Sequence, residues 1–230
     1  RRVAMSFGIR RIGIAGAALA VMGAVAHGQT PAVPSVPVFL MIGDDRSGDV
    51  GSQPTECSEN THRLAQRLKQ QGMTVFEVLN PSAVDLRVAL TQFSHDLHGK
   101  RPFISYCGYA SVQDGRVFLT RNNQNVDLLS QAVPAVSLLR ILNGHDDGLV
   151  FLELHPWGGQ SAQLGSAVKF LKERAENVDA LSVTVVDAPS ANPVIDGLVS
   201  VMQPGWHWAD VEAFAHGKSV TERFVSSVQE

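Results

Sequence analysis

The 230 residues carry 19 Lys and Arg against 22 Asp and Glu, a formal net charge of −3, and 44% of them are hydrophobic against 18% charged. That balance supports a sizeable core and argues against an intrinsically disordered chain. With no Lys/Arg cluster and no interleaving of basic and aromatic residues, it also argues against nucleic-acid binding through a basic patch.

The first segment reads as an address. "MSFGIRRIGIAGAALAVMGAVAHGQT" has a basic start at Arg10 and Arg11, an apolar run from Ile12 to Ala26, and small residues at Ala26 and Gly28. That pattern predicts a secretory signal peptide over residues 1–28, cleaved after Gly28. Its apolar run is about 15 residues, short of the roughly 20 that a spanning helix needs. The other reading is a retained anchor. Arg1 to Ala4 precede Met5, the expected start. Losing residues 1–28 removes four arginines and no acid, which takes the net charge from −3 to −7. A periplasmic or secreted location follows, with no stable membrane span after cleavage.

Residues 29–37 contain "TPAVPSVP", a Pro-rich linker expected to be extended, and a folded domain is expected over residues 38–228. "VFLMIG" (Val38–Gly43) is a continuous apolar run, as in a central parallel strand covered on both faces. A polar loop leads to a helix over Ser58–Gln71, with Ser58 as N-cap, Leu64 and Leu68 on one face, and Gly72 as the stop. Met73–Leu79 is a second strand. Ser82 and Asp85 have capping-box spacing and open a helix to Leu97, with Leu86, Leu90, Phe93 and Leu97 inward. Pro102–Tyr106 is a third strand, ending in a small-residue corner, and Gly115–Thr120 returns antiparallel. A helix over Ala135–Leu142, a strand over Gly148–Leu154, a helix over Ala167–Glu176 with Val168 and Leu171 inward, a strand over Leu181–Ala188 and a last helix within Trp208–Ser227 complete the set. Strands alternating with helices predict an α/β fold, a mostly parallel sheet with helices on both faces. Ligands in such sheets sit beyond the carboxyl ends of the strands, which points to Asp44, Tyr109 and His155.

These strand ends carry a resemblance. "MIGDD", "CSENTHRLAQRLKQQG", "YCGYASVQDGRVFL" and "ELHPWGG" follow in the order of the caspase-like fold of clan CD cysteine peptidases (peptidase C14), especially bacterial metacaspase-type members, over about Val36 to Asp187. The resemblance implies a three-layer caspase-like architecture. It places the family's catalytic His on Tyr109, its nucleophilic Cys on His155, and the Asp that binds a basic P1 side chain on Asn60. A cysteine peptidase needs a thiolate, an adjacent base and oxyanion donors. Imidazole at 155 does not replace the thiol, and a phenol with an ordinary pKa near 10 is a poor base at neutral pH. The expectation is therefore a pseudoenzyme: a binding or scaffolding module whose degenerate pocket, walled by Asn60, Tyr109, His155 and Trp157, takes a peptide or protein ligand.

Two cysteines, Cys57 and Cys107, leave alternatives open. In an oxidising compartment they can pair, or they can stay as buried thiols. The family's cysteine at the Cys57 position lies beside its active site, so the resemblance puts the two sulfurs close together. A role-swapped dyad is the rival, with Cys107 as nucleophile and His155 as base, because residues 107 and 109 share a strand face. A third alternative is a structural subunit of a secreted assembly, with an apolar patch around Trp206 and Trp208. No cofactor and no metal are expected. His145, Asp146 and Asp147 fall in a polar turn, and "GDDRSGD" (Gly43–Asp49) lacks the rest of a twelve-residue calcium loop.

Overall fold

The computed structural model describes residues 36–45, 55–120, 132–143, 145, 148–173, 180–188 and 190–219. The expected signal peptide and most of the expected linker lie outside them, as do Asp146 and Asp147. The apolar run after the linker forms strand β1 (Pro37–Asp44), buried from Val38 onward. It is flanked by β2 (Thr74–Leu79) and β3 (Arg101–Gln113), both parallel to it. Beyond β3 come β6 (Leu149–Pro156) and β7 (Ala180–Val185), again parallel. The parallel strands thus run in the order β2-β1-β3-β6-β7. The seven-stranded sheet is completed by β4 (Arg116–Thr120) and β5 (Ala132–Pro134), an antiparallel arm on the far end of β3.

Alternation along the strands divides the core in two. On one face Val38, Leu40 and Ile42 of β1 meet Leu86, Leu90 and Phe93 of α2 (Ala83–His95). The same cluster takes in Leu138 and Leu139 of α3 (Val136–Ile141) and Leu164, Val168 and Leu171 of α4 (Ser161–Glu173). On the other face Phe39 and Met41 meet Leu64 and Leu68 of α1 (Cys57–Gln70). Here the cluster includes Val194, Ile195 and Leu198 of α5 (Pro193–Val201) and Val211 and Ala215 of α6 (Trp208–Ser219). The architecture is a three-layer α/β sandwich. Burying a side chain of this size contributes about 1.5–3 kcal/mol, so each layer fastens its helices with several such contacts.

The expected capping box at Ser82 and Asp85 is present in full, Asp85 N–H donating to Ser82 Oγ at 3.1 Å and Ser82 N–H to Asp85 Oδ2 at 3.0 Å. Several expectations are corrected. Strand β3 does not end at Tyr106: it runs to Gln113 and turns straight into β4 through Asp114 and Gly115, both at positive φ. Ser58 is not the N-cap of α1. The helix starts at Cys57 with no cap from Glu56, and the carboxylate of Asp45 accepts from Ser58 N–H at 2.7 Å and from Thr55 and Ser58 hydroxyls instead. Helix α4 starts at Ser161, six residues earlier than expected, since an Ala-Gln-Leu-Gly-Ser stretch shows weak apolar periodicity. Strand β5 and helix α5 were not anticipated. Strand β1 begins at Pro37, the last residue of the expected linker, and residues beyond 219 of the expected last helix lie outside the described set.

The two tryptophans at the entrance of α6 pack on the core. Trp206 meets Phe39 edge-on, centroids 6.1 Å apart, and donates its Nε1–H to Gln71 Oε1 at 3.1 Å. Trp208 lies 5.0 Å from the Arg101 guanidinium. Phe39, Phe103, Phe151 and Phe214 follow one another at centroid distances of 5.1, 5.3 and 5.8 Å, an aromatic row on the α1/α5/α6 face. Among the described residues no helix is long and apolar enough to cross a membrane.

Candidate functional site

Register decides what meets at the carboxyl ends of β3 and β6. Cys107 lies opposite Glu153, and Tyr109 opposite His155. Two-residue spacing turns all four toward the α1/α5 layer. The Tyr109 and His155 rings lie 6.1 Å apart and tilted by 56°. Both are buried, at 5% and 1% exposure, and burial, with the charge of Asp45 behind it, raises the Tyr109 phenol above its ordinary value. The Tyr109 phenol is thus even less ionised at neutral pH than a free one.

Helix α1 covers the β3 side of the site. Gly43 at the end of β1 lets its first turn rest directly on the strand: a Cβ at 43 would stand 2.6 Å from the Cys57 carbonyl oxygen and 2.8 Å from Ser58 Cα. Cys57 is thereby seated over β3 and forms a disulfide with Cys107, their Cα atoms 5.3 Å apart. Both cysteines are fully buried. Of the alternatives left open by the sequence, the paired state is the one the structure adopts. Asn60, one turn along α1, is also buried, while Trp157, in a 3-10 turn (Trp157–Gly159) after β6, is half-buried. Gly108 lies between the two pairs. A Cβ there would meet the Asp44 carbonyl and the Tyr106 hydroxyl at 2.9 Å, and that hydroxyl donates to the Tyr109 carbonyl at 2.7 Å.

Two residues that sequence reasoning did not single out complete the cluster. Glu153 is fully buried. Its Oε2 accepts the backbone N–H groups of Val194 at 2.7 Å and Ile195 at 3.1 Å, the second and third residues of α5 after Pro193. A side chain of the N-cap residue itself normally fills that place. Because Glu153 fills it, Asn192 is released, and its Oδ1 faces the sulfurs of Cys107 at 3.3 Å and Cys57 at 3.4 Å. Glu153 Oε1 stands 3.5 Å from the Cys107 sulfur and 3.4 Å from His155 Nε2. Joined sulfurs carry no hydrogen, so the contacts to Asn192 and Glu153 are not hydrogen bonds. The His155–Glu153 approach is within ion-pair reach but misaligned, leaving both ring nitrogens without a hydrogen-bond partner among the described residues. The signals were present. "VFLELHP" holds one carboxylate in an apolar strand, two residues from His155, and "ANPV" is an Asn-Pro helix entrance.

No protein-family model matches the chain, and no curated protein matches it. Among solved structures it is similar to Raptor from Chaetomium thermophilum, at 14% identity and a TM-score of 0.36. The match takes in 70% of this chain and 16% of that one. Nothing about function follows from so partial a likeness.

The arrangement does not supply the parts of a thiol hydrolase in the oxidised state. The Cys107 sulfur is bonded to Cys57, so neither a thiolate nor a Cys107–His155 dyad exists while the bridge holds.

Proposed function

We propose that this chain is an exported caspase-like module that binds or scaffolds peptide or protein partners without cutting them. One observation carries the reading. At the two strand tips where the sequence resembles the catalytic positions of clan CD peptidases, the chain holds a tyrosine and a histidine side by side, and its only two cysteines are bonded to each other beneath them. The parallel strand order with an antiparallel arm after β3 supports it. So does the disulfide, a bond that persists in periplasmic or extracellular surroundings. In this reading the ligand meets the half-buried Trp157 and the rim of the strand tips, with Asn60, Tyr109 and His155 as the buried floor.

The test is incubation of the protein with Arg/Lys, Asp and mixed peptide libraries, with and without calcium and reductant. No cleavage is expected, and peptide retention on the immobilised protein is expected to fall in Trp157→Ala. Cleavage that appears on reduction and vanishes in Cys107→Ala overturns the proposal in favour of the Cys107/His155 dyad.

A further inference from the structure

One sulfur from each of Cys57 and Cys107, one carboxylate oxygen of Glu153 and one ring nitrogen of His155 all lie within 4.8 Å of one another, and all four residues are buried. With the bridge closed this cluster is chemically mismatched. The carboxylate of Glu153 and the carbonyl of Asn192 point at sulfurs that have no hydrogen to give, and the imidazole, 1% exposed, makes no hydrogen bond among the described residues. Buried polar groups ordinarily find partners. Here the electron-rich atoms converge on one small volume, which suits a cation.

We infer that the reduced protein holds one zinc-like divalent ion there, coordinated by Cys57, Cys107, Glu153 and His155, and that the disulfide is the closed, metal-free state of the same site. Two thiolates, one imidazole and one carboxylate make a four-ligand set that suits tetrahedral zinc and its borderline-soft relatives, not calcium or magnesium. Outer-shell support is in place: the amides of Val194 and Ile195 fix one oxygen of Glu153 and leave the other for the metal. Two thiolates and a carboxylate exceed the charge of the ion by one, and the N-terminal end of α5 offsets that excess.

The exchange balances as follows. An external dithiol gives two electrons and two protons to the Cys57–Cys107 bond and leaves as its own disulfide. The entering ion then displaces both thiol protons to solvent. The inference does not rest on the caspase-like reading, since only the local geometry enters it.

The experiment uses the full chain, reduced with a water-soluble phosphine, freed of it without air and titrated with Co2+ and then Zn2+. The reduced protein is expected to take up one ion with release of two protons and to show thiolate-to-cobalt charge-transfer bands; the oxidised protein is expected to take up none. Zinc-edge X-ray absorption of the wild type is expected to give two sulfur and two nitrogen or oxygen neighbours, with Zn–S of about 2.3 Å. His155→Ala and Glu153→Gln are each expected to weaken affinity by more than about tenfold. Equal uptake by both redox states overturns the inference, as does a zinc shell without two sulfurs, or affinity unchanged in both variants. If reduction alone unfolds the chain, Zn2+ is expected to restore its near-ultraviolet circular dichroism, and failure to do so also overturns it.

Discussion

Opening the Cys57–Cys107 bridge is the perturbation with the most calculable effect. The two residues are 50 apart in sequence. In the chain-entropy treatment, a closed loop of that size costs the unfolded chain about 4 kcal/mol of freedom at 25 °C. For a domain near 200 residues that corresponds to a fall of roughly 8–16 °C in Tm. The assay is urea denaturation in a chelator, so that no metal compensates, of the oxidised protein, the reduced protein and the Cys57→Ala/Cys107→Ala variant. The reduced and double-variant proteins are expected to lose similar stability and to unfold with a larger denaturant slope, because an unbridged unfolded chain exposes more surface. A loss below about 1 kcal/mol with an unchanged slope would refute the reasoning, showing that the bridge constrains little in the unfolded ensemble.

Four further outcomes are expected. Gly43→Ala pushes the first turn of α1 off β1, and since its new methyl meets the Cys57 carbonyl and Ser58 Cα of the backbone as well as the Thr61 hydroxyl, a loss of about 1–3 kcal/mol is expected in the same denaturation assay. Asp45→Ala removes the acceptor of Ser58 N–H at the start of α1, for a loss of roughly 1 kcal/mol. Burial, and next the charge of Asp44, holds the Tyr106 phenol well above its usual 10.0; its contribution to stability is complete below pH 10 and is lost as pH rises toward the folded value, so Tyr106→Phe is expected to flatten the alkaline fall in Tm. Burial pushes Glu77 up, but hydrogen bonds from Lys69 and His62 outweigh it and leave its carboxyl below the usual 4.5. Its contribution is therefore present above that value and lost as pH falls through the lowered one, and acid titration of Glu77→Gln is expected to show a shallower decline.

Much of the architecture was legible because long apolar runs and helix periodicity report directly on burial. "VFLMIG" and "VFLEL" became central strands, and Leu86, Leu90 and Phe93 became one inward face. What failed was punctuation. The small residues after Tyr106 suggested a corner, but Gly108 marks close approach to Asp44 and Tyr106 within an unbroken strand. The cap of α1 was invisible because the acceptor, Asp45, lies 13 residues from Ser58 in the sequence. At the candidate site, the alternation of elements put Tyr109 and His155 among the strand ends, the caspase-like resemblance paired them, and the register of β3 and β6 sets them opposite each other. Glu153 was missed for a different reason: its partners, Val194 and Ile195, lie some forty residues on in a helix with no recognised periodicity, and only tertiary packing joins them.

The covalent link between α1 and the centre of the sheet also matters under tension. Fully drawn out, a stretch of 50 residues reaches roughly 170 Å. While the sulfurs are joined that length stays hidden, so a pull on the two ends of the domain cannot pay out β2, α2 or the first half of β3 however far the remaining layers have come apart. The redox state of this one cysteine pair therefore sets how far the unfolded chain can extend.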